Sequence, residues 1–355
     1  MSYLILSINP GGSSTKIALY EGQNPLIMET IRHPADELSK FKGTLEQLEY
    51  RKKIVQNFLE KNKLKMEKLS AVVGRGGAFK PLISGTYRVN EKMLSDIREG
   101  RVAADHVSNL GAMIAYELTK NSQVPAFIVD PVSVDEFTEV ARVSGLPELE
   151  RKSLSHALNI KMVAHKAASR LKKKYQELNL VIVHLGTGIS VSSHSKGKMI
   201  DVNNANDGGP FSPQRTGSLP VTGLAKLCFS GKYDYSQMYE LITRKGGLLA
   251  YLGTDDVQEI EKRIEKGDQK AKLIYEAMVY QIAKEIGAMA TTLLGKVDSI
   301  VITGGIANSK KLVNSIKERV KFIAPVMVFP GEDEMEALTL GVLRVLNKEE
   351  EAKEY

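Results

Sequence analysis

Three turns rich in small residues each follow a buried-type strand in this chain, and their residue types suit the binding of a phosphate. Glycines let backbone N–H groups approach a phosphate closely, and hydroxyl and lysine side chains add further donors. Turns of this kind, facing each other from two halves of a protein, would hold a nucleotide. The expected nucleotide-binding residues are Asn9, Gly11, Gly12, Ser13, Ser14 and Lys16 in the first turn, Gly186, Thr187 and Gly188 in the second, and Gly304, Gly305, Ile306 and Asn308 in the third.

The better-known nucleotide motifs are absent from the sequence. No Gly-x-x-x-x-Gly-Lys-[Ser/Thr] segment occurs, and Gly186-Thr187-Gly188 lacks the third glycine of a dinucleotide fingerprint because Val191 stands in its place. Phosphate contacts are therefore expected from hairpin turns.

Charged side chains stand at strand ends and in one polar loop. Arg75 lies between glycines at the end of an apolar run, and Arg215 lies in a loop rich in Ser, Thr and Pro. Two guanidinium groups could bind a carboxylate on one side and a transferring phosphoryl group on the other, although a surface arginine is the plain alternative. Asp130 ends a strand before Pro131, which suits either a carboxylate in a cleft or a turn-initiating Asp.

Strands alternate with helices, so the sequence predicts an α/β fold. The strand–turn–strand pattern at residues 3–20 returns near residue 180, which suggests two similar halves around a central cleft. The charged tail, residues 348–355, is expected to fray. The other predicted elements are helices at 44–63, 107–120, 153–174, 309–320 and 334–347, strands at 70–73, 125–129, 299–303 and 325–329, and a mostly helical stretch at 223–294.

The bulk composition narrows the class of protein. A chain of 355 residues with 43% hydrophobic and 26% charged residues predicts a globular protein of two domains. The net charge of +7 is spread over mixed-charge helices, so no nucleic-acid partner is expected. The single cysteine, Cys228, is expected to be a buried thiol in a reducing compartment. The sequence contains no apolar run long enough to predict a membrane span. The protein is expected to be cytoplasmic.

Four segments in order along the chain resemble those of acetokinases, a family within the superfamily of sugar kinases, heat-shock chaperones and actin. They are Asn-Pro-Gly-Gly-Ser-Ser-Thr-Lys at 9–16, His-Leu-Gly-Thr-Gly at 184–188, Gln-Arg-Thr-Gly at 214–217 and Gly-Gly-Ile at 304–306. The resemblance implies two similar actin-like (ribonuclease H-like) domains with a nucleotide cleft between them. The domains are expected at 1–150 and 151–333, with the C-terminal helix 334–355 packing back on the first.

The resemblance also implies roles for individual residues. His184 and His156 would donate hydrogen bonds to phosphoryl oxygens, where a core or capping role is the alternative. Asn9 would help to place phosphate or metal-bound water. One carboxylate near residues 332–336 would help to hold Mg²⁺, and Glu334 is the residue chosen. The implied cofactors are ATP/ADP and Mg²⁺, and the implied assembly is a homo-oligomer, a dimer or an assembly of dimers.

The reaction implied is transfer of the γ-phosphoryl group of ATP to a short-chain fatty acid. A carboxylic acid is already an anion at neutral pH and needs no general base, so Asp130 is expected to organise the metal. Ser-His-Ala-Leu-Asn at 155–159 and Pro-Gly-Glu-Asp-Glu-Met-Glu-Ala-Leu at 330–338 look more like the butyrate kinases of the family than the acetate kinases.

The predicted chain length of the acid substrate depends on two small residues. Gly74 lies near the place where acetate kinases have a valine, and Ser155 stands where they have a phenylalanine. Smaller residues leave room for more methylenes, which favours butanoate. The alternatives are acetate, propionate or isobutyrate as the acid, and, from another class, an ATP-driven chaperone- or actin-like switch without a small substrate.

Overall fold

The structure is a computed structural model that describes residues 2–355. Contacts divide the chain into two compact units. Unit 1 contains the residues up to Asp135 together with Asp333–Tyr355, and unit 2 contains Glu136–Glu332. This division falls earlier than residue 150. The domain boundary at residue 150, which the sequence predicts for domains that fold separately, stays a prediction.

Unit 1 is built on a six-stranded sheet with the order β3-β2-β1-β4-β6-β5. β1, β4 and β6 run parallel to one another, and β2 pairs antiparallel with β1 and β3. The interiors of β1, β4 and β6 are buried, as expected for parallel strands covered on both faces. The elements are β1 (Leu4–Pro10), β2 (Ser14–Glu21), β3 (Asn24–Arg32), α1 (Ala35–Leu38), α2 (Leu48–Lys61), β4 (Ala71–Arg75), β5 (Thr86–Arg88), α3 (Glu91–Arg98), α4 (Asn109–Thr119) and β6 (Ala126–Val129).

Unit 2 has a five-stranded sheet with the order β11-β10-β7-β8-β9. Its core is formed by the strands and by helices that include the long α11. The elements are α5 (Glu139–Arg142), α6 (Ala157–Leu171), β7 (Asn179–Leu185), β8 (Ile189–Ser195), β9 (Lys198–Val202), α7 (Val221–Cys228), α8 (Tyr235–Thr243), α9 (Gly247–Leu252), α10 (Val257–Glu265), α11 (Gln269–Thr292), β10 (Ser299–Gly304), α12 (Lys310–Val320) and β11 (Val326–Pro330).

The two sheets share one topology. In each, a first strand forms an antiparallel hairpin with the second, the third strand lies beyond the second, and two further strands join the first strand in parallel on its other side. The sequence prediction of an α/β fold with two similar halves is therefore confirmed.

The last helix, α13 (Glu334–Leu346), packs on strands β1, β4 and β6 of unit 1. The tail after it is anchored, since Lys353 N–H donates to Thr86 O at 2.8 Å and Arg88 N–H donates to Lys353 O at 2.9 Å. Tyr355 is only 9% exposed. The expectation that this tail frays is wrong, because its backbone extends the edge of the sheet at β5.

The single cysteine lies at the surface. Cys228 is exposed, which corrects the expectation of a buried thiol, because α7 buries none of its residues.

Within residues 2–355, no helix is both long enough and apolar enough to cross a membrane.

Candidate active site

Three predicted site residues of unit 1 stand at neighbouring strand ends. Asn9 and Arg75 lie at the carboxyl ends of β1 and β4, and Asp130 directly follows β6. Because these strands are parallel, their carboxyl ends meet at the same edge of the sheet, where α/β proteins bind ligands. The fold therefore gathers at one edge three side chains that are far apart in sequence.

Glu334, at the first position of α13, joins two of these residues. Asn9 Nδ2 donates a hydrogen bond to Glu334 Oε2, and Arg75 Nη1 forms an ion pair with Glu334 Oε1. The side chains of Arg75 and Glu334 are 18% and 20% exposed, so the pair is largely shielded from water. The structure thus distinguishes Glu334 from its acidic neighbour Asp333, whose carboxylate caps α13 through Glu336 N–H at 2.9 Å.

Asp130 is held by its own set of donors. Its Oδ1 accepts hydrogen bonds from Ser84 Oγ at 2.6 Å and from Gly85 N–H at 2.8 Å. Its backbone has φ of +38°, which a residue other than glycine rarely adopts. Such a conformation persists only where the surroundings hold it, and it often marks a ligand-binding position.

The first glycine turn closes the β1–β2 hairpin. Gly11 N–H donates to Ser14 O at 2.7 Å. Gly12, Ser13 and Lys16 are exposed, so their groups face solvent and can reach a ligand.

Sequence reasoning gave His106 no role, yet it lies close to this strand edge. Burial lowers the pKa of His106, and the positive charge of Arg75 lowers that pKa further. Its Nδ1 accepts a hydrogen bond from Ser108 N–H at 3.2 Å and lies 2.7 Å from Ser108 Oγ. His106 precedes α4 in a polar segment with no motif of its own, so nothing in the single sequence set it apart from the other histidines.

In unit 2 the two predicted histidines lie against each other. The rings of His156 and His184 stack with centroids 3.9 Å apart and an interplanar angle of 11°. His156 Nδ1 is 3.0 Å from Ser190 Oγ, and His184 Nδ1 is 2.9 Å from Asn159 Oδ1. Each ring is therefore oriented through its Nδ1 atom.

The other ring nitrogen of His184, Nε2, makes no hydrogen bond to any of residues 2–355, although the side chain is 1% exposed. It lies 3.0 Å from Glu332 Oε1, at ion-pair distance but outside hydrogen-bond geometry. A buried polar atom without a hydrogen bond is uncommon in folded proteins and calls for an explanation such as a ligand.

Arg215 lies over the second glycine turn. A Cβ atom built on Gly188 would stand 2.6 Å from Arg215 Cζ, so only glycine leaves room for the guanidinium group. The turn is closed by Gly186 N–H, which donates to Gly188 O at 3.1 Å. Ser212 Oγ donates to Thr187 O at 2.5 Å and accepts from Arg215 N–H at 3.1 Å, which ties the arginine loop to the turn.

The guanidinium group of Arg215 is partly buried, and no carboxylate of the described residues lies within ion-pair distance of it. Burial lowers the pKa of Arg215, while Tyr239 acts in the opposite direction. A partly desolvated cation beside a glycine turn favours the binding of an anion.

The third glycine turn borders a separate cavity of about 210 Å³. Gly304 has φ of +96° and exchanges backbone hydrogen bonds with Gly331 at 3.1 and 2.9 Å. Acidic and amide residues just before α10 and in its first turn form the rest of the wall, and sequence reasoning missed them because they belong to no glycine motif. The lining residues are Asp255, Asp256, Val257, Gln258, Gly305, Ile306, Asn308 and Ser309.

The need for glycine at position 74 comes from the packing of β4 against α4. A Cβ on Gly74 would overlap the carbonyl group of Gly111 in α4, so this glycine is required by the close packing of β4 on the helix. Gly74 therefore says nothing about the width of a substrate pocket. Ser155 is buried, and its Oγ lies 3.8 Å from Met199 Sδ.

Comparison with known proteins now identifies the family. The model of the acetokinase family matches residues 149–330, slightly more than half of the chain. The chain belongs to the acetokinase family. As an acetokinase-family protein it is a carboxylate kinase, a phosphotransferase whose acceptor is a carboxyl group.

Solved structures show the same fold over 95–96% of this chain. The acetate kinase of Porphyromonas gingivalis is 19% identical with a TM-score of 0.79, over 96% of this chain and 99% of that one. The propionate kinase of Francisella tularensis is 19% identical with a TM-score of 0.75, over 95% and 98%. The acetate kinase of Entamoeba histolytica is 16% identical with a TM-score of 0.76, also over 95% and 98%.

Proposed function

We propose that this chain transfers the γ-phosphoryl group of ATP to a short-chain fatty acid, with butanoate as the preferred acid: butanoate + ATP = butanoyl phosphate + ADP. The observation that carries the proposal is Arg215, a cation without a carboxylate partner among residues 2–355, packed on a glycine turn. Such a group favours the binding of a phosphoryl group, and family membership supplies the carboxylate acceptor.

The chemistry required is mainly relief of charge repulsion. A carboxylate with a pKa of about 4–5 needs no general base, but it must approach a polyanion. Arg215 and the His156–His184 pair would donate to the phosphoryl oxygens. Arg75 would bind the acid carboxylate, and Lys16 would contact the phosphates. Catalysis is then positioning and electrostatic stabilisation.

The third turn would bind the nucleoside. Gly305, Ile306 and Asn308 line the cavity of about 210 Å³, whose polar far wall can donate and accept hydrogen bonds, and Gly304 directly precedes them. The phosphate oxygens would be bound by the first and second glycine turns, namely Gly11, Gly12, Ser13 and Ser14, and Gly186, Thr187 and Gly188.

Mg²⁺ is proposed as the metal, held by Asp130, Glu334 and Asn9. Within residues 2–355, no cluster of three or more His, Cys, Asp or Glu side chains is arranged to hold a metal by itself. Two carboxylates and an amide oxygen fit Mg²⁺, which takes oxygen ligands and fills its other positions with water and substrate phosphates. When bound, Mg²⁺ would neutralise part of the phosphate charge.

The length of the acid rests on the sequence segments at 155–159 and 330–338 and on Ser155, since Gly74 no longer supports it. The decisive experiment measures acyl phosphate formation by hydroxamate trapping with ATP, Mg²⁺ and a panel of C2 to C5 acids. A clear maximum at butanoate supports the proposal. Equal rates with acetate and butanoate would reject the chain length, and ATP hydrolysis that no acid accelerates would favour the ATP-driven switch.

We also propose that the protein forms a homo-oligomer and lies in the cytoplasm. The helix α7 buries none of its residues, and Val221 and Phe229 are 76% and 92% exposed, which is consistent with burial against another subunit. Size-exclusion chromatography with light scattering measures the assembly, and a monomer at micromolar concentration would contradict it.

A further inference from the structure

Arg51, on helix α2, is a fully buried cation that the proposed mechanism does not use. It is 0% exposed, and no carboxylate of the described residues lies within ion-pair distance. Burial lowers its pKa. A buried charge without an opposite charge destabilises a fold unless many hydrogen bonds compensate for it.

The two Nη groups of Arg51 are directed at the first glycine turn, while Nε donates to Gln47 Oε1 at 3.0 Å. Nη2 donates to Gly12 O at 3.2 Å, and Nη1 donates to Ser14 O at 3.2 Å and to Thr15 Oγ1 at 3.0 Å. The remaining carbonyl of the turn, Ser13 O, accepts from His33 N–H at 2.8 Å. All three successive carbonyl groups of the turn are thus hydrogen-bonded, and Arg51 holds two of them.

This arrangement fixes where the N–H group of Ser13 points. In a trans peptide the carbonyl oxygen and the following N–H point in opposite directions, and the chain contains no cis peptide bond among residues 2–355. Because the carbonyl of Gly12 is turned towards the buried Arg51, the N–H group of Ser13 points away from Arg51, and both Gly12 and Ser13 are exposed.

We propose that Arg51 is a positioning residue for ATP. Its guanidinium group holds the carbonyl groups of Gly12 and Ser14 so that the N–H group of Ser13 is directed at the phosphates, and it places a positive charge behind the turn. The proposal rests on the proposed function in one respect only, namely that this turn binds the nucleotide phosphates. The missing opposite charge would then arrive with the ligand.

The test compares three variants. Arg51→Lys keeps the charge but cannot bind two carbonyls with a fork, and Arg51→Met keeps the bulk and removes both. Phe58→Leu is the matched control, because Phe58 lies on the same helix, is 2% exposed and belongs to the core. Each variant is assayed for its melting temperature, for ATP binding by calorimetry without acid, and for KM of ATP and of the acid.

We expect Arg51→Lys to weaken ATP binding by about tenfold or more while KM of the acid changes by less than about twofold. Phe58→Leu should lower the melting temperature without changing ATP affinity. An Arg51→Lys variant that is folded and binds ATP like the wild type would overturn the proposal, as would equal loss in Phe58→Leu. Since ATP binding is measured without acid, a wild type that binds ATP but forms no acyl phosphate would reject the proposed reaction alone.

Discussion

The guanidinium group of Arg215 occupies the space that a side chain on Gly188 would need, since a Cβ there would stand 2.6 Å from both Cζ and Nη1 of the arginine. The close approach aligns a cation with a turn whose backbone is itself suited to bind an anion. The two residues therefore form one structural element, and a change in either should alter the position of the other.

Gly188→Ala tests this relationship directly. The added methyl group must displace Arg215, so we expect turnover to fall by about 10²-fold, because a shift of about 1 Å in a positioning group has effects of that size. Steady-state kinetics and the melting temperature are the measurements. Gly287→Ala in α11 is the control, since a Cβ there meets nothing within 4 Å. Unchanged turnover in Gly188→Ala would show that Arg215 has no part in the reaction.

Replacement of Arg215 by alanine distinguishes a role in nucleotide binding from a role in phosphoryl transfer. We expect Arg215→Ala to lower kcat by about 10²- to 10³-fold, because loss of one donor to a developing charge has effects of this order. ADP binding should survive, since the cavity that we propose for the nucleoside is lined by Gly305 and Asn308. Calorimetry with ADP and kinetics with the acid measure the two effects. Lost ADP binding would mean that Arg215 holds the nucleotide itself.

Glu334 is expected to have its largest effect on the metal requirement. Glu334→Gln keeps the size of the side chain but removes the charge that pairs with Arg75. We expect the Mg²⁺ concentration for half-maximal activity to rise by about 10- to 100-fold. The same titration on Glu336→Gln distinguishes the carboxylates. A larger effect there than in Glu334→Gln would assign the metal to the second residue.

Local patterns predicted much of this fold, and their limits are physical. The strand–turn–strand repeat at Asn9 and His184 was visible because buried strands and glycine turns are local signals. Gly74 was misinterpreted because its reason for being glycine is Gly111, which is distant in sequence. Arg51 looked like one more charged residue on a helix, since only tertiary packing brings it beneath the Gly12–Ser14 carbonyls.

The stability of the protein should depend on pH through His33. Burial, with Arg51 adding to it, lowers the pKa of His33 from 6.5 to about 4, and its side chain lies 2.9 Å from Thr15 Oγ1. Below pH 6.5 the unfolded chain binds a proton at this residue that the folded chain does not bind. Folding is therefore destabilised as the pH falls from about 6.5 towards about 4.

We expect His33 to lower the free energy of unfolding by up to about 2 kcal/mol between pH 7 and pH 5. Urea unfolding of the wild type and of His33→Gln at both pH values measures it. His194 is also buried with a lowered pKa, so the wild type has more than one source of acid sensitivity. The difference between the two proteins isolates His33, because glutamine cannot take up a proton in this range. Equal losses of stability in the two proteins over the interval would contradict the lowered pKa of His33.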